Sequence, residues 1–267
     1  MTAELTAEER ARYARQLIIP QLGEEGQAKL ARAAVLVVGV GGLGSPAALY
    51  LAAAGVGRLG LVDGDRVELS NLQRQIIHGT GALGRPKVES ARARLADLNP
   101  HVEYRVYGER LTPDNVTAVI SGYDVVIDAV DNFGARYLLN DACFLAGIPL
   151  VEAGVLRFDG LATVVRPRSG PCYRCAFPLP PAPGATLSPA EAGVLGPLPG
   201  VLGALQAIEA IKIIVGVGRP LYGKMIAYSA LTGRFDQIEL ARDPNCPLCG
   251  DQPTIRRIDP NCPDYRQ

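Results

Sequence analysis

The sequence predicts an α/β fold: a doubly wound, mostly parallel sheet with an N-terminal helical segment and a C-terminal antiparallel portion. Three observations carry this. Short runs of branched apolar residues recur up to residue 154, each of a length that suits a strand buried on both faces. Helical stretches alternate with them, the order that builds a parallel sheet covered on both sides. Beyond residue 154 the alternation stops and hairpin-like runs take over.

Taken in order, "TAEE" at 6–9 is a capping-box pattern, with Thr6 as cap and Glu9 reaching back, and a helix is expected from there to about Ile18. "AVLVVGV" (34–40) reads as a buried strand running into a glycine loop. "SPAALYLAAAG" (45–55) is the following helix, with Pro46 tolerated in its first turn, and "RLGLVD" (58–63) is the second strand. Strand, glycine loop, helix and a strand ending in Asp make a Rossmann-like βαβ unit. Further units are a helix over 86–99, strands over 102–107 and 123–130, a helix over 135–147 ending at Gly147, and a strand over 149–154. "VLRFDGLATVVRP" then predicts a hairpin with its turn at Asp159-Gly160. A proline-rich loop spans Phe177 to Gly200, with seven prolines. Loops of that length in a compact domain are usually functional or disordered. An apolar helix (201–217), strands at 224–230 and 234–240, and a loose tail complete the chain.

The bulk properties exclude several classes. Lys plus Arg and Asp plus Glu number 27 each, so there is no electrostatic footprint for nucleic acid or anionic lipid, and neither DNA nor a membrane is an expected partner. The N-terminus, "MTAELTAEERARYARQ", has no apolar core of a secretory signal. The 201–217 stretch is interrupted by Gln206, Glu209 and Lys212, a polar stripe that suits a core helix better than a membrane span. A soluble, cytoplasmic protein is expected.

The glycine loop, "VGVGGLGSP" (38–46), places Gly39, Gly41, Gly42 and Gly44 where backbone N–H groups and a helix N-terminus can approach phosphates. Asp63 ends the next strand, where a carboxylate accepts from ribose hydroxyls. These features alone suit a dehydrogenase, but hydride transfer wants a proton donor, and neither His78 nor His101 has a convincing context in the sequence. Asn71 and Arg74 in "SNLQRQ", Lys87 in "GRPKVES", and Asp128 and Asp131 in "DAVDN" suit a different reaction. When a carboxylate attacks the α-phosphorus of ATP, two anions meet, and cations must neutralise the phosphates. Arg74 and Lys87 are candidates for that clamp, and Asp131 is a candidate Mg²⁺ ligand. Taken singly, Arg74 reads as a surface charge, Lys87 as part of a solvated helix turn, and Asp131 as a turn or cap residue beside Asn132.

Cys172 and Cys175 form one C-x-x-C and Cys246 and Cys249 another, offering four thiolates for tetrahedral Zn²⁺ in a structural role. Disulfides or a redox pair are the alternatives. The first is disfavoured without an export signal, and the second leaves one pair unexplained. Cys143 reads as a core residue and Cys262 as incidental.

These motifs, in this order, resemble the MoeB/ThiF adenylyltransferases of the ubiquitin-activating superfamily. The resemblance runs from "RYARQ" (12–16) to "CPLCG" (246–250), through "GVGGLGSP", "LVDGDRVELSNLQRQ", "GRPKVESA", "DAVDN", "CYRC" and "EAGVLGPLPGVLGALQAIEAIK". It implies a homodimer that uses ATP to adenylate the C-terminal glycine of a ubiquitin-like sulfur carrier protein ending in Gly-Gly. Gly41 would line the phosphate loop and Asp63 hold the ribose. Asn71, Arg74 and Lys87 would contact phosphates, and Asp131 would position Mg²⁺. Arg15 would reach into the partner subunit's site; without the resemblance it reads as an exposed helix charge. A single adenylyltransferase domain over 1–250 is expected, with a nucleotide-binding part at about 30–155 and a carrier-binding and zinc part at about 156–250, followed by a tail at 251–267. Some relatives carry a loop cysteine for a thioester or persulfide step. Here 184–194 reads "GATLSPAEAGV", with no cysteine between 176 and 245. The sequence also has no rhodanese-like domain after the second C-x-x-C. Both absences lead to the expectation that it stops at the acyl-adenylate and that a separate sulfurtransferase supplies sulfur. Two other readings stand beside this one: adenylation of a carboxylate on a modified tRNA nucleoside or a peptide, and a non-catalytic nucleotide-binding scaffold.

Overall fold

β1 (Ala34–Val38) consists of five apolar residues, all buried, and is an interior strand, third from one edge of a single sheet. The computed structural model describes residues 5–181 and 192–266. The sheet has eight strands in the order β3-β2-β1-β4-β5-β6-β7-β8: β2 (Arg58–Val62), β3 (Glu103–Tyr107), β4 (Val125–Asp128), β5 (Leu150–Leu156), β6 (Asp159–Val165), β7 (Lys224–Ser229) and β8 (Arg234–Glu239). The first five are parallel and the last three antiparallel. The order reverses between β1 and β4, and their carboxyl ends are the switch point at which open α/β sheets bind ligands.

The period of two along each strand divides the core. Val35, Val37, Val125 and Ile127 face one side, with Leu51 of α4 (Gly44–Ala53) and Leu95 of α5 (Lys87–Leu98). Leu36, Val38 and Val126 face the other, with α6 (Val116–Ile120) and α7 (Phe133–Ala146). Gly147, at φ 79°, ends α7 as the sequence predicts.

The N-terminal segment keeps its capping box, but the predicted single helix is broken. α1 (Ala7–Arg12) and α2 (Ala14–Leu17) flank Tyr13, which is buried with its hydroxyl accepting from Asn99 Nδ2 at 2.8 Å. Docking of that ring onto the end of α5 costs the helix one residue of regular geometry. The next helix, α3 (Gly23–Arg32), and α6 were not among the expected elements. Neither has a side-chain cap: Leu22 before α3 carries no acceptor, and Asn115 before α6 turns its Oδ1 to the Thr112 N–H instead.

Three more expectations are corrected. The β5–β6 turn is Arg157-Phe158, not Asp159-Gly160: Leu156 pairs with Asp159, and Arg157 carries the positive φ of 53°. Gly160 lies within β6, paired with Val155, at a position where a side chain would meet Leu202 at 2.8 Å. Leu202 belongs to the long apolar helix, which follows α8 (Tyr173–Ala176) and starts earlier than expected. This helix, α9, is Pro197–Val215, with prolines in its first turn, so the proline-rich loop ends before residue 197. Residues 182–191 of that loop lie outside the described residues.

The third correction is the tail, which is packed rather than loose. Tyr265 is buried, and its hydroxyl donates to Asp141 of α7 at 2.8 Å. The polar stripe of α9 turns inward: Gln206 donates to the Asp128 and Val151 carbonyls, and Glu209 accepts from the Leu221 N–H. α9 is the one helix among the described residues long and apolar enough to cross a membrane, and half of it is buried in the fold.

Candidate active site

The loop between β1 and α4 is shaped by a contact no side chain permits. A Cβ on Gly44 would lie 1.8 Å from the Gly39 carbonyl oxygen, so the turn closes only on glycine. Gly39 has φ 90°, and a Cβ there would meet the Ala129 carbonyl at 2.5 Å. The loop is thus pressed against the end of β4. Gly41 and Gly42 are partly exposed on its outer side, with Gln75 beside Gly41 and Pro199 and Arg74 beside Gly42.

Asp63, after β2, braces this loop. Its Oδ2 accepts the Val40 N–H at 2.9 Å, and its Oδ1 accepts the Asp65 N–H at 2.8 Å. Lys87, the first residue of α5, is buried. Its Nζ lies 3.0 Å from Asp65 Oδ2 and 3.9 Å from Asp63 Oδ2. Burial would raise the pKa of Asp65, but hydrogen bonds from Lys87 and Arg110 outweigh it and hold the carboxyl below its ordinary value. Asn71 is buried, its Oδ1 accepting from the Glu68 N–H at 3.2 Å, and Arg74 donates to the Ser70 carbonyl at 3.1 Å. The loop glycines, Asp63, Lys87 and Arg74 therefore meet at one edge of the sheet.

Asp131 follows β4 and is exposed. The cap of α7 is its neighbour Asn132, whose Oδ1 accepts the Ala135 N–H at 2.8 Å, leaving Asp131 outside that cap. Asp128 has a different role. It is fully buried, its Oδ1 accepts from the Val130 N–H, and its Oδ2 lies 3.8 Å from Arg136 Nε. Arg136 also reaches Glu152 at 2.6 Å and donates to the Val130 and Ala153 carbonyls. One guanidinium thus serves two buried carboxylates and fixes the backbone just before Asp131.

Cys172, Cys175, Cys246 and Cys249 converge with all four sulfurs within 4.8 Å of one another. Four thiolates around a tetrahedral ion at the usual metal–sulfur length sit roughly 3.8 Å apart. The Cys172–Cys246 and Cys175–Cys249 separations of 3.6 and 3.2 Å are close to that and are not disulfides. The cluster is tied to α7 by Arg174, which lies between two of the cysteines. Its buried guanidinium engages both oxygens of Asp141 and, at 2.6 Å, Asp264 of the tail.

Arg15 is exposed on α2, and among the described residues it makes no hydrogen bond or ion pair to the loop. Sequence reasoning missed His78, which is buried with its ring nitrogens 2.9 Å from the Val40 carbonyl and 3.0 Å from Ser90 Oγ. It also missed Arg136, Glu152 and Asp65. Asp65 lies within the "LVDGDRVELSNLQRQ" motif, but His78, Arg136 and Glu152 belong to no motif quoted above, and all four acquire their long-range partners only when separate strands and helices come together.

The model of the ThiF family matches residues 13–248. The "Sulfur carrier protein adenylyltransferase" of Thermus thermophilus is 51% identical over 258 residues, covering 95% of each chain. The "Adenylyltransferase and sulfurtransferase MOCS3" of Mus musculus is 53% identical over 257 residues, 96% of this chain, and the chain spans 56% of that relative's length. Among solved structures, E. coli MccB superposes with a TM-score of 0.82 at 23% identity, covering 93% of this chain and 75% of that one. At that identity the likeness supports the fold alone.

The triad under the site sets a pH dependence. Burial raises the Glu152 carboxyl from 4.5 to about 7, with Arg136 opposing and Asp128 adding to the rise. Because folding raises this pKa, its contribution to stability is full below about pH 4.5 and is lost as pH rises through about 7. Glu152→Gln does not titrate. Its unfolding free energy in urea is expected to climb relative to the parent across that window; a difference that stays flat contradicts the assignment.

Proposed function

We propose a function from one premise: the chain belongs to the ThiF family. It adenylates the C-terminal glycine of a ubiquitin-like sulfur carrier ending in Gly-Gly. The observation that supports this best is the meeting, at the β1/β4 switch point, of a glycine loop, a buried lysine at a helix start and an exposed aspartate. The name of the Thermus thermophilus relative supplies the substrate class.

In this reading Gly39, Gly41, Gly42 and Gly44 open the loop to the phosphates, and Asp63 receives the ribose with oxygen lone pairs left by its two backbone bonds. Lys87 turns from Asp65 toward the phosphates, with Asn71 and Arg74 beside it. Asp131 holds Mg²⁺. An exposed carboxylate outside the helix cap suits an ion that keeps waters and phosphate oxygens as its other ligands. When bound, Mg²⁺ offsets phosphate charge. The glycine carboxylate attacks the α-phosphorus; the new O–P bond forms as the bond to the β-phosphate oxygen breaks, and pyrophosphate leaves. The carboxylate is already ionised at neutral pH, so no side chain must remove a proton. The chain's work is orientation and charge stabilisation.

The cysteine cluster holds Zn²⁺ structurally. Four thiol donors leave no open coordination position, and Arg174 fastens the cluster to α7. With no cysteine between 176 and 245, sulfur comes from a separate sulfurtransferase. A homodimer fits the exposed apolar side chains Tyr50 on α4 and Val201 and Ile208 on α9, and would carry Arg15 to the partner's site. The six unpaired cysteines fit the reducing cytoplasm. Residues 1–250 form the adenylyltransferase unit, and one sheet runs through its nucleotide-binding and carrier-binding parts.

Asp131→Ala is expected to abolish carrier-dependent ATP–pyrophosphate exchange while leaving the melting temperature unchanged; retained exchange removes Asp131 from the mechanism. Cys175→Ser is expected to lower both zinc content, read by atomic emission, and thermal stability; unchanged metal content contradicts the zinc assignment.

A further inference from the structure

Val40 is held at both of its peptide groups. Asp63 Oδ2 accepts its N–H at 2.9 Å, and His78 Nε2 lies 2.9 Å from its carbonyl oxygen. A carbonyl can only accept, so Nε2 carries the proton. The neutral ring then accepts the Ser90 hydroxyl at Nδ1, 3.0 Å away. Burial, aided by the Lys87 ammonium, lowers the His78 pKa against the pull of the Val40 hydrogen bond and the Asp63 carboxylate, which keeps the ring in that single form.

A trans peptide points its C=O and the next N–H in opposite directions. With the Val40 carbonyl drawn inward to a buried ring, the Gly41 N–H is turned away from it. Among the described residues that N–H donates to no carbonyl or side chain, and Gly41 is partly exposed. The groups on either side are anchored, the Val40 N–H by Asp63 and the Gly41 carbonyl by the Ser45 N–H and hydroxyl, so His78 holds the one hydrogen bond of the Val40–Gly41 peptide between them; without it that peptide is free to tilt about Gly41, which has no side chain to resist.

We propose that His78 is a positioning residue of the phosphate loop: through the Val40 carbonyl it keeps the Gly41 N–H aimed at a phosphate of the bound nucleotide. This rests on the nucleotide reading of the loop given above. His78 touches no substrate in this role; it acts through the backbone.

Two substitutions separate its hydrogen bonds. His78→Gln places an amide N–H near the position of Nε2 and keeps the Val40 bond. His78→Asn keeps a polar atom near Nδ1, and with it the Ser90 contact, but loses Val40. ATP affinity, measured by equilibrium dialysis without any carrier, is expected to fall about tenfold in His78→Asn and to stay close to the parent in His78→Gln. In exchange assays KM for ATP rises, while kcat at saturating ATP and KM for the carrier hold. Ser90→Ala, which only loosens the ring, is expected to give a smaller loss in the same direction and decides the matter if His78→Asn does not fold. Undiminished ATP binding in His78→Asn and Ser90→Ala overturns the proposal. So does an equal loss in both His78 variants that tracks a lowered melting temperature, which marks a purely structural residue. If the parent itself binds no ATP, the nucleotide reading fails first.

Discussion

The Gly39 carbonyl oxygen occupies the space a side chain at residue 44 would need, and the rest of the site depends on that contact. It lets the chain pass from β1 to α4 through only five residues, 39–43, at the point where the strand order reverses. The same turn presses Gly39 onto Ala129, which places the end of β4, and with it Asp131, beside the loop. Asp63 fixes the loop from β2, and Lys87 closes the edge from the start of α5. Each of these side chains stands on a different element, so their distances are set by sheet register rather than by local flexibility.

α7 joins this edge to the cysteine cluster. Its cap, Asn132, adjoins Asp131, and its Arg136 ties β4 to β5. One turn on, Asp141 receives Arg174 and Tyr265. Buried ion pairs gain little net stability over apolar packing, but losing one partner leaves an uncompensated charge and is strongly destabilising. The Arg136 and Arg174 clusters therefore define how strand ends, metal ligands and tail are arranged, more than they strengthen the fold.

Much of this was legible in the sequence because the signals are local. β1, its glycine loop and α4 are contiguous, and the two C-x-x-C pairs announce themselves by spacing. The core position of α9 was legible too, but the partners of its Gln206 and Glu209 were not, because the strand-end carbonyls and loop N–H they serve come together only in the fold. The Asp159-Gly160 pair imitates a hairpin turn, yet its glycine makes room for Leu202, a residue more than forty positions away. His78 was passed over for the same reason: Val40 and Ser90 become its neighbours only through the fold. Arg15 shows the complementary limit, since its expected partner lies on another chain.

The proposed work of this edge of the sheet is to join a carrier's terminal carboxylate to AMP. The most direct measurement is intact mass spectrometry of a ubiquitin-like carrier ending in Gly-Gly after incubation with the chain, ATP and Mg²⁺, quenched in acid. A carrier species heavier by one adenylate is expected, absent when the final glycine is deleted. ATP binding without any adenylated carrier would contradict that role.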